Sequence, residues 1–218
     1  VVTKATAKYT KKSKKKVVTS KITTTVQTTT TQQVSIANET AVSTTSSGTS
    51  VSQATAAASS SQNQSKYEAN VASVAGKMDN RVIAAYQQLG FKLVVDPSVN
   101  YSGYFDARSR SITMKQIDDS VYHELGHFLA FIAGNVDKTA SFQSIFAAEK
   151  ANVTAFNKAY VTQNASEYFA ESVKDYILNN ASLKNTRPQT YAAVQNALNQ
   201  ITDAQIAKIQ KIYGAFWN

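Results

Sequence analysis

"DDSVYHELGHFLAFIAG", residues 118–134, contains both histidines of a 218-residue chain. Two aspartates before the run and Gly134 after it are start and stop signals. The spacing therefore predicts a helix over about 119–133, opened by Asp118 or Asp119. At about 100° per residue, Val121, Leu125, Phe128, Leu129 and Ile132 share one arc that suits a core. His123 and His127 stand four apart and project from a different arc, with Glu124 beside them. Two imidazoles converging from one turn suit a grip on a single divalent cation, with the adjacent carboxylate placed for proton transfer. The plain alternative is a pair of ordinary helix histidines. A structural zinc would need further Cys or His ligands, and the chain has no cysteine and no third histidine. What remains is an open metal site, and open zinc sites do chemistry.

Working outward, "VIAAYQQLG" (82–90) has helical spacing and ends at a glycine, and "FKLVV" (91–95) reads as a strand stopped by Asp96-Pro97. "GYFDARSRSITMK" (103–115) reads as two short strands around a turn near Arg108–Arg110, with Ile112 and Met114 on one face. Beyond the histidine helix, further helices are expected at 140–156, 165–179, 188–201 and 203–215. A small antiparallel sheet followed mainly by helices is an α+β pattern, and about 150 residues suffice for one core.

Residues 1–66 are a different material. They hold 16 Thr and 12 Ser, one aromatic residue, and nine of the 23 basic residues against one acid, so this third carries +8 of the net +9. Such a stretch cannot bury enough apolar surface to offset its ordering entropy, and it reads as a disordered basic tail or linker. Its "KKSKKK" run (11–16) is a solvated charge cluster whose functional reading is weak contact with an anionic cell surface. The body, 67–218, is nearly neutral and lacks the basic, aromatic-studded pattern of a nucleic-acid binder. No apolar run reaches the length of a membrane span. The first residue is Val, which fits either a removed signal peptide or a truncation. Together these features suggest an exported bacterial protein.

A third metal ligand has to be a carboxylate from elsewhere. "SEYFAESVKDYI" (166–177) offers Glu167, Glu171 and Asp175 as an i, i+4, i+8 stripe opposite Phe169, Val173, Tyr176 and Ile177. A solvated helix face looks the same, and acids in a first turn are favoured by the helix dipole, so periodicity alone leaves the choice open.

Taken together, "YHELGHFLA", "FAAEK" (146–150), "SEYFAESVKDYI" and Tyr160 seven residues before Glu167 resemble the catalytic domain of the anthrax lethal factor family of zinc metalloproteases, which includes the secreted Pro-Pro endopeptidases. The resemblance covers roughly 80–218 and none of the tail. It implies a zincin-type fold with one zinc per chain, held by His123, His127 and Glu167, and Glu124 as the general base for peptide hydrolysis by a metal-activated water. It also implies that the Tyr160 phenol donates to the oxyanion forming on the attacked carbonyl, although by itself Tyr160 reads as a half-buried aromatic at a helix end. Glu171 can either accept the free N–H of a zinc-binding histidine or be a plain surface carboxylate. Substrate peptide is expected to lie along an exposed sheet edge supplied by 103–107 or 111–115. The stretch "QIDDS" (116–120) is shorter than the matching loop of the Pro-Pro endopeptidases, so their cleavage preference does not carry over. Two other readings are a docking module, since the family contains a domain of the same fold without the metal motif, and an adhesive surface protein acting through its tail.

Overall fold

The computed structural model describes residues 65–217. The basic tail expected over 1–66, with its proposed surface contact, lies almost wholly outside the described residues. The elements in chain order are β1 (Tyr67–Ala69), α1 (Val71–Val74), α2 (Asn80–Gln88), β2 (Lys92–Val95), β3 (Gly103–Asp106), β4 (Ser111–Met114) and α3 (Ser120–Ile132). They are followed by α4 (Ala140–Glu149), α5 (Lys158–Val161), α6 (Ala165–Leu178), α7 (Asn180–Thr186), α8 (Pro188–Asn199) and α9 (Asp203–Tyr213). Four strands leading into a helical body make this an α+β fold.

The sheet corrects one expectation. It is mixed rather than antiparallel, with order β1-β2-β4-β3 and β2 parallel to β4. After β2 the chain does not fold straight back. Residues 96–102 carry it past the place of β4 to the far edge, where β3 forms, and the turn at Arg110 (φ 54) returns β4 between β2 and β3. Direct contact of β4 with β2 buries Ile112 and Met114 completely beside Leu93 and leaves β3 as an edge strand. The main chain of β3 then divides by parity. Lys115 N donates to Ser102 O, so 102 pairs through hydrogen bonds with 115, and the alternation turns the N–H and C=O of Gly103 and Phe105 away from β4.

α3 follows after a short connection. The Asp118 carboxylate accepts from the backbone N–H of Ser120 at 2.9 Å, while Asp119 makes no side-chain cap. The helix ends at Ile132 with Ala133 as its cap, and Gly134 takes a left-handed φ of 81 that the reversal requires. Its apolar arc meets the sheet and α2: Leu125, Phe128, Leu129 and Ile132 are all 0 % exposed, with Phe128 edge-on to Tyr86 and Phe91. Truncating Phe128 to alanine is expected to cost about 3–5 kcal/mol.

The helical half departs from the pattern in three places. The helix expected over 140–156 stops at Glu149, because the Glu149 side chain is drawn to the start of α8 and Asn152 to the carbonyl of Thr186. α5 and α7 have no counterpart in the periodicity, since one is a single turn and the other, rich in weak helix formers, is anchored through the buried Leu183. β1 is three residues long, too short to show a period of two, and forms by antiparallel pairing with β2.

Candidate metal centre

α3 and α6 cross at Gly126. A Cβ built there would lie 2.7 Å from both the Cα and the O of Ala170, so no larger residue fits this approach without moving one helix. The close crossing brings the imidazoles of α3 against the carboxylates of α6. His123 Nε2 lies 3.1 Å from Glu167 Oε2, and His127 Nε2 lies 3.5 Å from the same oxygen. The other His123 nitrogen, Nδ1, donates to Glu171 Oε2 at 2.9 Å. Asp175, the third carboxylate of the stripe, turns away and pairs with Arg187.

The donor atoms of His123, His127 and Glu167 all lie within 4.8 Å of one another. A tetrahedral zinc with bonds of about 2.0–2.1 Å separates its ligand atoms by about 3.3–3.4 Å. The separations of 3.1 and 3.5 Å sit on either side of that value. Two imidazoles and one carboxylate are also a donor set of the right type, so the residues fit a divalent ion with coordination left open. The Glu171 contact leaves only Nε2 of His123 free to face the ion, which is the usual arrangement for a metal-binding histidine.

Electrostatics agree with the geometry. Burial disfavours the charged form of His123, but hydrogen bonds to Glu167 and Glu171 outweigh it and push the imidazole up to about 9. Burial opposes the ionised form of Glu167 too, yet the two histidines and Tyr160 hold this carboxyl far below its usual range. Glu171 is lowered as well, against its burial, chiefly by His123. A proton on His123 thus stands between two carboxylates, in the place a metal cation would take.

Glu124 is 6 % exposed, and burial raises its carboxyl above the ordinary value in spite of both histidines. It lies against the free edge of β3. A Cβ at Gly103 would come within 2.6 Å of Glu124 Oε1, and the outward-turned N–H of Phe105 pulls on the carboxylate. The Phe105 ring stacks on His127, with centroids 6.5 Å apart. The sequence signalled neither role, beyond the general rule that a glycine in a strand marks a close approach.

Tyr160 lies on α5, its ring 6.4 Å from that of His123. It is 52 % exposed, and partial burial together with the Glu167 carboxylate pushes the phenol up to about 12. A cleft of about 460 Å3 opens in front of His123 and Glu124, with Tyr101, Gly103, Asn157 and Tyr160 around it. Lys174 also lines it, 3.5 Å from Glu171. Of the cleft residues, Tyr101, Asn157 and Lys174 carried no sequence signal. A slightly larger cavity of about 500 Å3 behind α6, floored by Met78, Val173 and Leu198, holds none of these donors, so volume alone does not locate the site.

Residues 105–197 match the family model described as anthrax toxin lethal factor, N- and C-terminal domain. The chain is lethal factor-like over that stretch, which runs from within β3 to near the end of α8 and includes every residue of the triad. No curated protein matches the chain. Among the described residues, no helix is long and apolar enough to cross a membrane.

Proposed function

We propose that this chain is a secreted zinc-dependent endopeptidase. The observation that supports the reading is the meeting of His123 and His127 from α3 with Glu167 from α6. Their donor atoms lie within 4.8 Å of one another, His123 is 3.1 Å and His127 3.5 Å from Glu167, and Glu124 is buried beside them. Resemblance to a family that includes metalloproteases, and whose domains come from secreted bacterial toxins, supports both the chemistry and the location.

His123, His127 and Glu167 would hold the zinc, and Glu171 would keep His123 in the tautomer that offers Nε2. Bound there, zinc supplies Lewis acidity toward a carbonyl and makes hydroxide accessible near neutral pH. Glu124 takes a proton from the attacking water and hands it to the departing amine. Its burial suits it to holding that proton, since a buried carboxyl pays less for being neutral. Tyr160 stays protonated across the physiological range and donates to the carbonyl oxygen as negative charge builds on it. The outward N–H and C=O of Gly103 and the outward C=O of Phe105 align an extended peptide as a further strand on β3, with its scissile bond facing Glu124.

A docking role is the competing reading, because the matched family description covers N- and C-terminal domains alike. The complete set of His123, Glu124, His127 and Glu167 favours catalysis, since docking has no need of them. A peptide library incubated with the purified chain, with and without a chelator, separates the two. Cleavage that stops on chelation and returns with zinc supports the peptidase. Absence of cleavage by zinc-loaded, folded protein supports docking.

A further inference from the structure

On the face of α6 next to the one that meets the histidines lies a buried polar chain that the proposed chemistry leaves unused. Glu149 is 5 % exposed and accepts three hydrogen bonds from the start of α8: from Gln189 N at 3.0 Å, Thr190 N at 2.9 Å and Thr190 Oγ1 at 2.7 Å. α8 needs this partner because its own cap residue is Arg187, whose side chain cannot accept a bond. The single Thr190 hydroxyl proton is used on Glu149, so Tyr168 of α6 must donate its own to Thr190, at 2.7 Å. Arg187, 3 % exposed, donates to Ser172 Oγ at 2.9 Å and pairs with Asp175, with its guanidinium over the Tyr168 ring. Ser172 completes the chain by donating to the Tyr168 carbonyl at 2.6 Å.

We infer that Arg187 and Glu149 are positioning residues for metal binding. Acting through Tyr168, Ser172 and Asp175, they fix the axial register and rotation of α6, and with them the places of Glu167 and Glu171 against α3. The inference rests on reading the site as a zinc centre. Tyr168, Ser172 and Asp175 occupy one face of α6 at i, i+4 and i+7, and the two carboxylates facing α3 occupy the neighbouring face. α3 and α6 pack along an extended interface whose closest approach is Gly126 against Ala170, and the polar chain adds directional bonds from a second side of α6 to that packing. Close packing resists sliding or turning of α6, but the hydrophobic effect that drives it is non-directional. Hydrogen bonds have preferred lengths and angles. A slip of one residue moves a helix by about 1.5 Å and turns it by about 100°, whereas metal–ligand distances hold within about 0.2 Å. A buried ionic chain is seldom a net source of stability, so its contribution here is geometric.

The test measures zinc affinity of the full chain by chelator competition, at a temperature where circular dichroism shows every variant folded. Absorption of the cobalt-substituted protein reports ligand geometry alongside. Arg187→Met should weaken zinc binding by about tenfold, the lower end of the range for groups that orient ligands from outside the coordination shell, and should alter the cobalt spectrum. Arg187→Lys should recover part of the loss. Tyr168→Phe removes one oxygen and leaves the ring in place. It should weaken zinc binding by a smaller factor, and it decides the matter if Arg187→Met does not fold. Val71→Ala, in the core at α1, serves as the control for lost stability alone and should leave both readouts unchanged. Folded Arg187→Met and Tyr168→Phe variants with wild-type zinc affinity and cobalt spectrum would overturn the inference, as would an equal loss in Val71→Ala. A wild-type chain that retains no zinc removes the zinc-centre reading and this inference together. Zinc-binding wild type with unaffected variants removes this inference alone.

Discussion

α3 and α6 meet at one crossing, yet they are built on opposite plans. α3 is enclosed: from Val121 to Ile132 every residue is buried except His127, which is half-buried. α6 is amphipathic, burying Tyr168, Phe169 and Val173 while leaving Glu167 and Lys174 partly open. Histidines on an enclosed helix cannot leave their ring nitrogens to water, so a partner has to be brought to them. The amphipathic helix brings the acids, Glu167 partly open and Glu171 buried, and contact with the histidines offsets the cost of their burial. The enclosed helix thus supplies fixed imidazoles, and the half-open one supplies carboxylates whose placement depends on how α6 is held.

The contrast can be broken most sharply at Glu124. Glu124→Gln keeps the size and most of the packing against Gly103, so zinc content should stay near one per chain while hydrolysis falls by about 10²–10⁴-fold. Turnover equal to wild type would remove Glu124 from the chemistry. Tyr160→Phe tests the partly exposed partner. Losing one fixed donor should lower kcat by about 10²–10³-fold with zinc retained, and an effect confined to metal content would contradict the role given to the phenol.

Substitution within α6 sharpens the contrast between its two carboxylates. Glu167→Ala removes a donor and should strip the zinc during dialysis against a weak chelator. Glu171→Ala removes only the group that orients His123 and should weaken affinity by about 10–100-fold. The reverse ranking would mean that the two roles are exchanged.

The smallest effect expected is on the pH dependence of the metal-free chain. His123 is raised from 6.5 to about 9, so its contribution to stability is complete below about pH 6.5 and is lost as the pH rises through about 9. Glu167 is lowered from 4.5, so its contribution is present above that value and is lost as the pH falls below it. The melting temperature of the metal-free protein should therefore be greatest between about pH 5 and 6.5. Zinc has to displace the His123 proton, so its affinity should climb from about pH 6.5 to 9 with protons released on binding. A profile flat across both ranges would contradict the arrangement of His123 between Glu167 and Glu171.

The same contrast explains what could be read from the sequence. The α3 boundaries, its core arc and the separate histidine face were legible because an enclosed helix between an acidic opener and Gly134 leaves few alternatives. The carboxylates of α6 were not distinguishable from a solvated stripe. Only contacts across the crossing separate Glu167 and Glu171 from Asp175, and those join residues more than forty positions apart. The 103–107 stretch was legible as a possible substrate edge, but the contacts of Gly103 with Glu124 and of Phe105 with His127 were not, for the same reason. The sheet reads as antiparallel in the sequence and is mixed in the fold, because local alternation does not say which neighbour a strand chooses. Here the burial of Ile112 and Met114 beside Leu93 placed β4 inside and β3 at the edge. Length hid α5, which is one turn long yet carries Tyr160.

All of this depends on α3 and α6 together binding one metal ion. X-ray absorption at the zinc edge, on full-length protein equilibrated with zinc and dialysed, reads the ligands directly. The account predicts one zinc per chain, with two imidazole nitrogens and a carboxylate oxygen at about 2.0–2.1 Å, and loss of that signal when His123 and His127 are both replaced by alanine. Protein that returns from dialysis without zinc, or zinc whose shell is unchanged in the double substitution, would contradict it.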